Sequence, residues 1–270
     1  MKNATFIVFI IIIMALMQHC SSKKTTASTK TLKETNSSFV DSVASDFPVS
    51  FASIFSDNWR CIAYYNKNRN LTLAMQNVGD SVWTHKILPT KVGWDSHNYI
   101  ALTLDKSNCI HVSGNMHNDT LLYYKSENPL DVESLARVFP QVNSKEELSC
   151  TYPEFFMDDE HQLIYSYRLG GSGNGINILN KYNAESKTFE RLTNAPLFDG
   201  LGLKSAYKSG PRRGPDGNYH LTWLWRSTPA CETSHELSYC TSTDLIHWTS
   251  LSGEQSEIPI TPKNSTFIVD

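Results

Sequence analysis

From about Pro48 to the C-terminus, short runs of alternating apolar and polar residues follow one another. No segment keeps the three-to-four spacing of an amphipathic helix over a helix's length. The runs are rich in Val, Ile, Tyr, Thr and Trp and are separated by Asp, Asn and Gly, the chemistry of strands and turns. Turn signals recur at about 50-residue intervals: SDNWR around Asp57, DKSN around Ser107, MDDEHQ around Glu160 and GPDGN around Asp216. Each hairpin is followed by a third strand (LTLAMQ, LLYYKS, INILNKY, ELSYCTS) and a short fourth (SVWTHKIL, LARVF, FERL, HWTSL). Four-stranded antiparallel units at this period predict an all-β chain built of β-propeller blades. A generic β-sandwich would space its strands similarly but would not need four similar units. STDLIHW, Ser242 to Trp248, looks like a shortened Asp-box turn between the third and fourth strands of a blade. About four blades are present, and the terminal STFIVD reads as the first strand of a fifth. The chain is therefore expected to hold part of a ring, since a blade cannot bury its faces alone.

Ahead of Pro48 the pattern changes. A lysine, an apolar run from Phe6 to Met17 and then Cys20 give residues 1–20 the form of a lipoprotein-type signal peptide, lipidated at Cys20. His19, where such signals carry a small residue, leaves a plain secretory signal or an uncleaved anchor as alternatives. Residues 21–47 are polar at first, without apolar periodicity, and read as a flexible tether; residues 48–270 are the partial propeller. The expected location is exported: an outer-membrane lipoprotein, or periplasmic or cell-surface. Contact with a membrane would be only through the lipid on Cys20.

The net charge of −3 gives no reason to propose nucleic acid as a partner, and an acidic ligand would need a local basic site. Cys61, Cys109 and Cys150 lie in strand-like runs with no pairing spacing and read as buried thiols.

Candidate chemistry comes from hairpin register. A turn centred on Ser107 sets His97 opposite His117, and one centred on Glu160 sets Tyr152 opposite Arg168. In the fourth blade the turn near Asp216 sets Tyr207 opposite Trp225 or Arg226. All lie at the hairpin ends away from the tight turns, which in a propeller gather at one mouth of the central channel. An arginine paired with a carboxylate removes the charge that resists deprotonation beside it. Histidine and tyrosine can then serve as base and acid. This is β-elimination at C5 of a uronic acid, and the acid and base roles stay open among His97, His117 and Tyr152. Asn98 and Asn115 could hold the imidazole tautomers, bind sugar hydroxyls or simply form turns.

The stretches GWDSHNYIAL, IHVSGNMH, CTYPEF, YRLGGSGNG and SAYKSGPRRGPDGNYHLTWLWRSTPACETSHELSYC together resemble the BNR-type repeat proteins. That group includes ulvan lyases of polysaccharide lyase families twenty-four and twenty-five and glycoside hydrolases of family one hundred and forty-five. The resemblance implies a seven-bladed propeller. It also implies a catalytic His97, His117, Tyr152 and Arg168, with Tyr207 binding substrate; Asn98, Asn115 and Arg226 join as further binding candidates. The implied partner is an acidic, ulvan-like polysaccharide cleaved by elimination. A hydrolase releasing rhamnose from glucuronate, and a non-catalytic glycan-binding propeller or inactive fragment, stand as alternatives.

His220, Cys231, His235 and Cys240 offer nitrogen and sulfur ligands within one blade and could hold a structural zinc, with His247 as a substitute fourth ligand; the resemblance to the lyases implies a structural metal. A buried Cys–His cluster without metal is the alternative, and no organic cofactor is expected. GGSGNG, Gly170 to Gly175, precedes no helix and so is no phosphate cradle; it would let a sugar approach the backbone beside Arg168. Arg212 and Arg213 would be solvated loop charges or anion contacts.

Overall fold

Each of the four main hairpins begins at a side chain that folds back onto its own backbone. Ser56 Oγ accepts the N–H groups of Asn58 (3.1 Å) and Trp59 (3.3 Å). Asp105 Oδ1 accepts those of Ser107 (2.8 Å) and Cys109 (2.9 Å), and Asp158 Oδ1 those of Glu160 (3.0 Å) and Gln162 (2.7 Å). Asp216 Oδ1 accepts that of Asn218 at 3.2 Å. Asp and Ser satisfy turn amides in this way and so punctuate the repeat.

The computed structural model describes residues 37–269. The signal segment 1–20, Cys20 and most of the tether lie outside the described residues. Four antiparallel sheets make up the described chain. The first is β1 (Ala52–Phe55), β2 (Trp59–Tyr65), β3 (Leu71–Asn77) and β4 (Thr84–Ile87), paired in chain order. The second runs β5 (Ala101–Leu104), β6 (Cys109–Ser113), then, past β7 (His117–Asp119), β8 (Tyr123–Pro129) and β9 (Leu135–Arg137). The third is β10 (Cys150–Met157), β11 (Leu163–Leu169), β12 (Ile176–Asn183) and β13 (Thr188–Arg191), with β14 (Phe198–Asp199) added beside β12. The fourth is β15 (Ser205–Arg213), β16 (Tyr219–Arg226), β17 (Ser234–Ser242), β18 (Trp248–Ser250) and β19 (Gln255–Ser256), with β20 (Phe267–Val269) against β17. The opening strands meet, β5 lying against both β1 and β10. The predicted all-β, blade-like repeat is therefore present.

The packed body starts at Val40, before the Pro48 boundary expected from sequence. Asp41 accepts a hydrogen bond from Tyr64 Oη at 2.8 Å, and Phe47 packs edge-on against Tyr65 at 5.5 Å. Strand alternation sets the rest. Tyr165 and Tyr167 of β11 face a core shared by the first three sheets, with Leu73, Ile110 and Val112. Ile164, one residue out of phase, faces a second core with Phe198, Trp223, Trp225 and Trp248. β11 is thus buried on both faces, and Arg168, in phase with Ile164, is carried in between the third and fourth sheets. The STDLIHW turn joins β17 to β18 as expected: Asp244 accepts the N–H groups of Ile246 (2.9 Å) and His247 (2.8 Å), and Trp248 is fully buried.

Cys61, Cys109 and Cys150 are free, buried thiols. Burial pushes the thiols of Cys61 and Cys150 up to about 12.

Candidate active site

Two histidines converge on one carboxylate. His97 and His117 stack with ring centroids 4.2 Å apart at 26°. His97 Nδ1 meets Asp95 Oδ1 at 2.8 Å, and His117 Nδ1 meets Asp95 Oδ2. Asp95 Oδ1 also accepts the His97 backbone N–H at 2.7 Å, so a local turn fixes the carboxylate ahead of β5. Burial works to raise the Asp95 carboxyl, but the hydrogen bonds from both histidines outweigh it and hold the group down to about 2. The imidazoles stay accessible, with 41% of the His97 and 34% of the His117 side chain exposed.

The expected pairing is therefore met by a different route. The β5–β6 ladder is centred on Ser107 as predicted, but it ends at Ala101 opposite Ser113, short of both histidines. Asn115, with φ at 52°, turns the chain out of the second sheet, and β7 pairs with β10 of the third, His117 lying opposite Thr151. Asp95, not a ladder pair, brings the rings together.

Tyr152 and Arg168 also meet across a displaced register. Arg168 lies opposite Thr151, and a bulge places both Tyr152 and Pro153 against one residue of β11. Tyr152 takes φ = 58°, a conformation that costs an ordinary residue about 1–3 kcal/mol. The bulge sends its ring toward His97 (6.1 Å), Tyr99 (5.8 Å) and Tyr207 (6.1 Å). A second bulge in β15 puts Leu224, rather than Trp225 or Arg226, opposite Tyr207. Arg226 still reaches over the Tyr207 ring at 3.8 Å.

Arg168 is 2% exposed and lies beneath the phenol rings of Tyr152 (4.9 Å) and Tyr207 (5.4 Å). Nε donates to Gly170 O at 3.2 Å and Nη2 to Thr151 Oγ1 at 3.4 Å; Nη1 has no protein partner among the described residues. Its charge therefore reaches the surface through the two tyrosines. Burial, then the neighbouring Tyr207, pushes Tyr152 up to about 12. Burial also acts to raise Tyr207, but a Ser172 hydrogen bond and the guanidiniums of Arg168 and Arg226 bring it below the ordinary phenol value.

A cleft of about 450 Å³ opens here, lined by Tyr99, Tyr152, Glu154, Asn177, Tyr207 and Lys208. Sequence reasoning missed Asp95, Tyr99 and the Glu154–Lys208 pair. The first two carried a signal: Asp two residues ahead of His is a turn that can bond both backbone and ring, and Tyr99 lies two residues beyond His97.

Other candidates sit differently. Asn98 is buried and its amide lies 3.5 Å from Gly93 O, while Asn115 donates its N–H to Tyr65 Oη at 2.7 Å; both hold turns. The four proposed zinc ligands are not brought together. His220 shares a face of β16 and β17 with Tyr239, which it bonds at 2.6 Å, whereas Cys240 is buried with Leu221 on the other face. Cys231 is exposed, His235 lies 3.5 Å from Glu236, and His247 is bonded to Asp244 at 2.7 Å. Strand alternation, with its period of two, separates what sequence proximity suggested. Among the described residues, the side chains of ligand type close enough to share an ion are Asp95, His97 and His117, whose potential ligand atoms lie within 4.8 Å of one another. Gly175 serves Arg168 directly: a Cβ there would stand 2.7 Å from Arg168 Cδ and 2.7 Å from Ser205 Oγ. Arg212 bonds Glu154 at 2.9 Å and Arg213 pairs with Asp159, so neither is a free loop charge.

Fold and site together define an all-β, blade-like protein with phenol groups lining one cleft, a buried guanidinium against their rings and an imidazole pair next to Tyr152. Residues 59–270 match the BNR repeat-containing family, and the chain belongs to it. A 53-residue segment is 38% identical to the short isoform of ulvan lyase from Alteromonas sp. (strain LOR), covering 19% of this chain and 10% of that protein. The fold is similar to that of the polysaccharide lyase Uly1, with a TM-score of 0.68 at 16% identity, over 90% of this chain and 63% of that one. It is also similar to a family PL25 ulvan lyase bound to a GlcA(1-4)Rha3S saccharide, with a TM-score of 0.58 at 13% identity, over 84% of this chain and 58% of that one. The chain thus spans less than two thirds of the length of each of these relatives.

Proposed function

We propose that the protein is a polysaccharide lyase that cleaves a uronate-containing, ulvan-like polymer by β-elimination. The observation that carries this reading is the buried Arg168, without a carboxylate partner among the described residues, behind Tyr152 and Tyr207, with the His97 ring 6.1 Å from that of Tyr152. Its positive charge, with that of the half-buried Arg226, favours a uronate carboxylate at Tyr207 and the carbanion-like state formed on losing the C5 proton. Direct pairing of Arg168 with the carboxylate requires the tyrosine rings to part. Tyr152, held protonated by burial, is the acid for the leaving oxygen, and an imidazole of the histidine pair takes the proton.

The chemistry of the carboxylates speaks against a two-carboxylate hydrolase. Glu154 is engaged by Lys208 and Arg212, both at 2.9 Å, and Asp95 by the two histidines. To the same proposal belong export by the N-terminal segment and membership of the four sheets in a seven-bladed ring.

The test is incubation of the full chain with ulvan while following the ultraviolet absorbance of the unsaturated uronate. Tyr152→Phe should reduce the rate by roughly 10²–10⁴-fold. Arg168→Ala should abolish it, with Arg168→Lys recovering part. Reducing ends released without ultraviolet absorbance would replace elimination by hydrolysis, and saccharide binding without either product would support a binding module.

A further inference from the structure

One carboxylate serving two imidazoles imposes a proton arrangement on both. An ionised carboxylate can only accept hydrogen bonds. Asp95 gives Oδ1 to His97 Nδ1 and Oδ2 to His117 Nδ1, so each ring must carry a hydrogen on Nδ1. In a neutral imidazole the lone pair then lies on Nε2. Neither Nε2 has a protein partner among the described residues, and both side chains are partly exposed. An ordinary aspartate is ionised throughout the neutral range.

We infer that Asp95 is the positioning residue of the site: it locks His97 and His117 in the same tautomer, leaving both with an unshared, basic Nε2. The turn that bonds Asp95 Oδ1 to the His97 N–H holds the carboxylate in place, so the arrangement is built before any ligand arrives. An amide could not reproduce it. Asparagine offers one accepting oxygen and one donating nitrogen, so one ring would have to turn its Nδ1 into an acceptor and move its hydrogen to Nε2. That ring would lose its basic nitrogen. The catalytic consequence rests on the lyase reading above; the tautomer assignment does not.

The experiment is a long-range ¹H–¹⁵N spectrum of the full chain labelled in histidine, recorded where the rings are neutral, for the wild type and Asp95→Asn. His97→Gln and His117→Gln assign the two signals among the nine histidines. The wild type should show the Nδ1–H pattern at both rings, and Asp95→Asn should convert one of them to Nε2–H. In the same variant, kcat for elimination should fall by about 10²–10⁴-fold with KM little changed. An Nε2–H pattern at either ring of the wild type would overturn the inference, as would unchanged patterns in a folded Asp95→Asn protein. If that variant fails to fold, the wild-type spectrum alone decides. If elimination is absent from the wild type, the spectra still decide, and the failure belongs to the lyase reading.

Discussion

Tyr152 and Tyr207 stand 6.1 Å apart in the same cleft, yet their acidities are driven in opposite directions. Burial dominates at Tyr152, whereas at Tyr207 the two guanidiniums and Ser172 overcome burial. The sign is direct: a nearby cation favours the phenolate, so removing it must raise the phenol's pKa. In a titration followed by tyrosinate absorbance, Tyr207→Phe should therefore delete an early-ionising step, and Arg226→Gln should move that step to higher pH. A lowest step unaltered by Tyr207→Phe would contradict the assignment. Gly175 is the matching steric case. The Cβ of Gly175→Ala would press on Arg168 Cδ and Ser205 Oγ, and overpacking of this kind costs about 1–3 kcal/mol. A lower denaturant midpoint together with a weakened saccharide interaction is expected; Gly171→Ala, whose Cβ would meet only Asn174 Oδ1 at 3.1 Å, should be milder.

Among the elements, the β5–β6 hairpin depends on its turn more than the β15–β16 hairpin does. Asp105 caps two amides and also reaches His111 Nε2 at 3.2 Å, and His111 is fully buried against Tyr123 Oη at 2.8 Å. Asp105→Ala removes the turn contacts and leaves a buried ring nitrogen unpaired, at about 1–3 kcal/mol. Asp216→Ala disturbs an exposed turn and should lower the urea midpoint less; equal losses would argue against the buried network. Turns of this kind are legible in sequence because Asp and Ser act on neighbouring amides, and the centres at Ser107, Glu160 and Asp216 hold in the observed ladders. Bulges are not legible in that way. The extra residues in β10 and β15 shift each ladder by one position, so Tyr152 and Tyr207 reach their partners by strand distortion. The excursion of β7 into the third sheet was hidden for the same reason, since strand pairing between units leaves no local pattern. Alternation separates the residues named as zinc ligands: His220 and Cys240 belong to neighbouring strands but point to opposite faces.

At the scale of the whole molecule, the proposed polyanionic substrate would have to be met by a chain of net charge −3 through a local balance of charge. The third and fourth sheets set that balance where they share the cleft. Glu154 of β10 is clasped by Lys208 and Arg212 of β15, both at 2.9 Å, and Lys208 also donates to Gly210 O at 2.8 Å. Lys208 is the more buried of the two cations, so screening by solvent and salt weakens its contact with Glu154 less than that of Arg212. Lys208→Met would leave Glu154 under-neutralised at the cleft wall, where it repels a uronate chain. On the lyase reading, KM for elimination should rise, and the rise should shrink as salt is added. If repulsion by Glu154 is the cause, Glu154→Gln in the Lys208→Met background should restore much of the lost KM, although it further reduces the charge holding the two sheets together. A double-mutant cycle on KM and on the denaturant midpoint separates the two effects: rescue of KM without rescue of stability is expected. Additive losses in KM would assign Lys208 to direct contact with the saccharide instead.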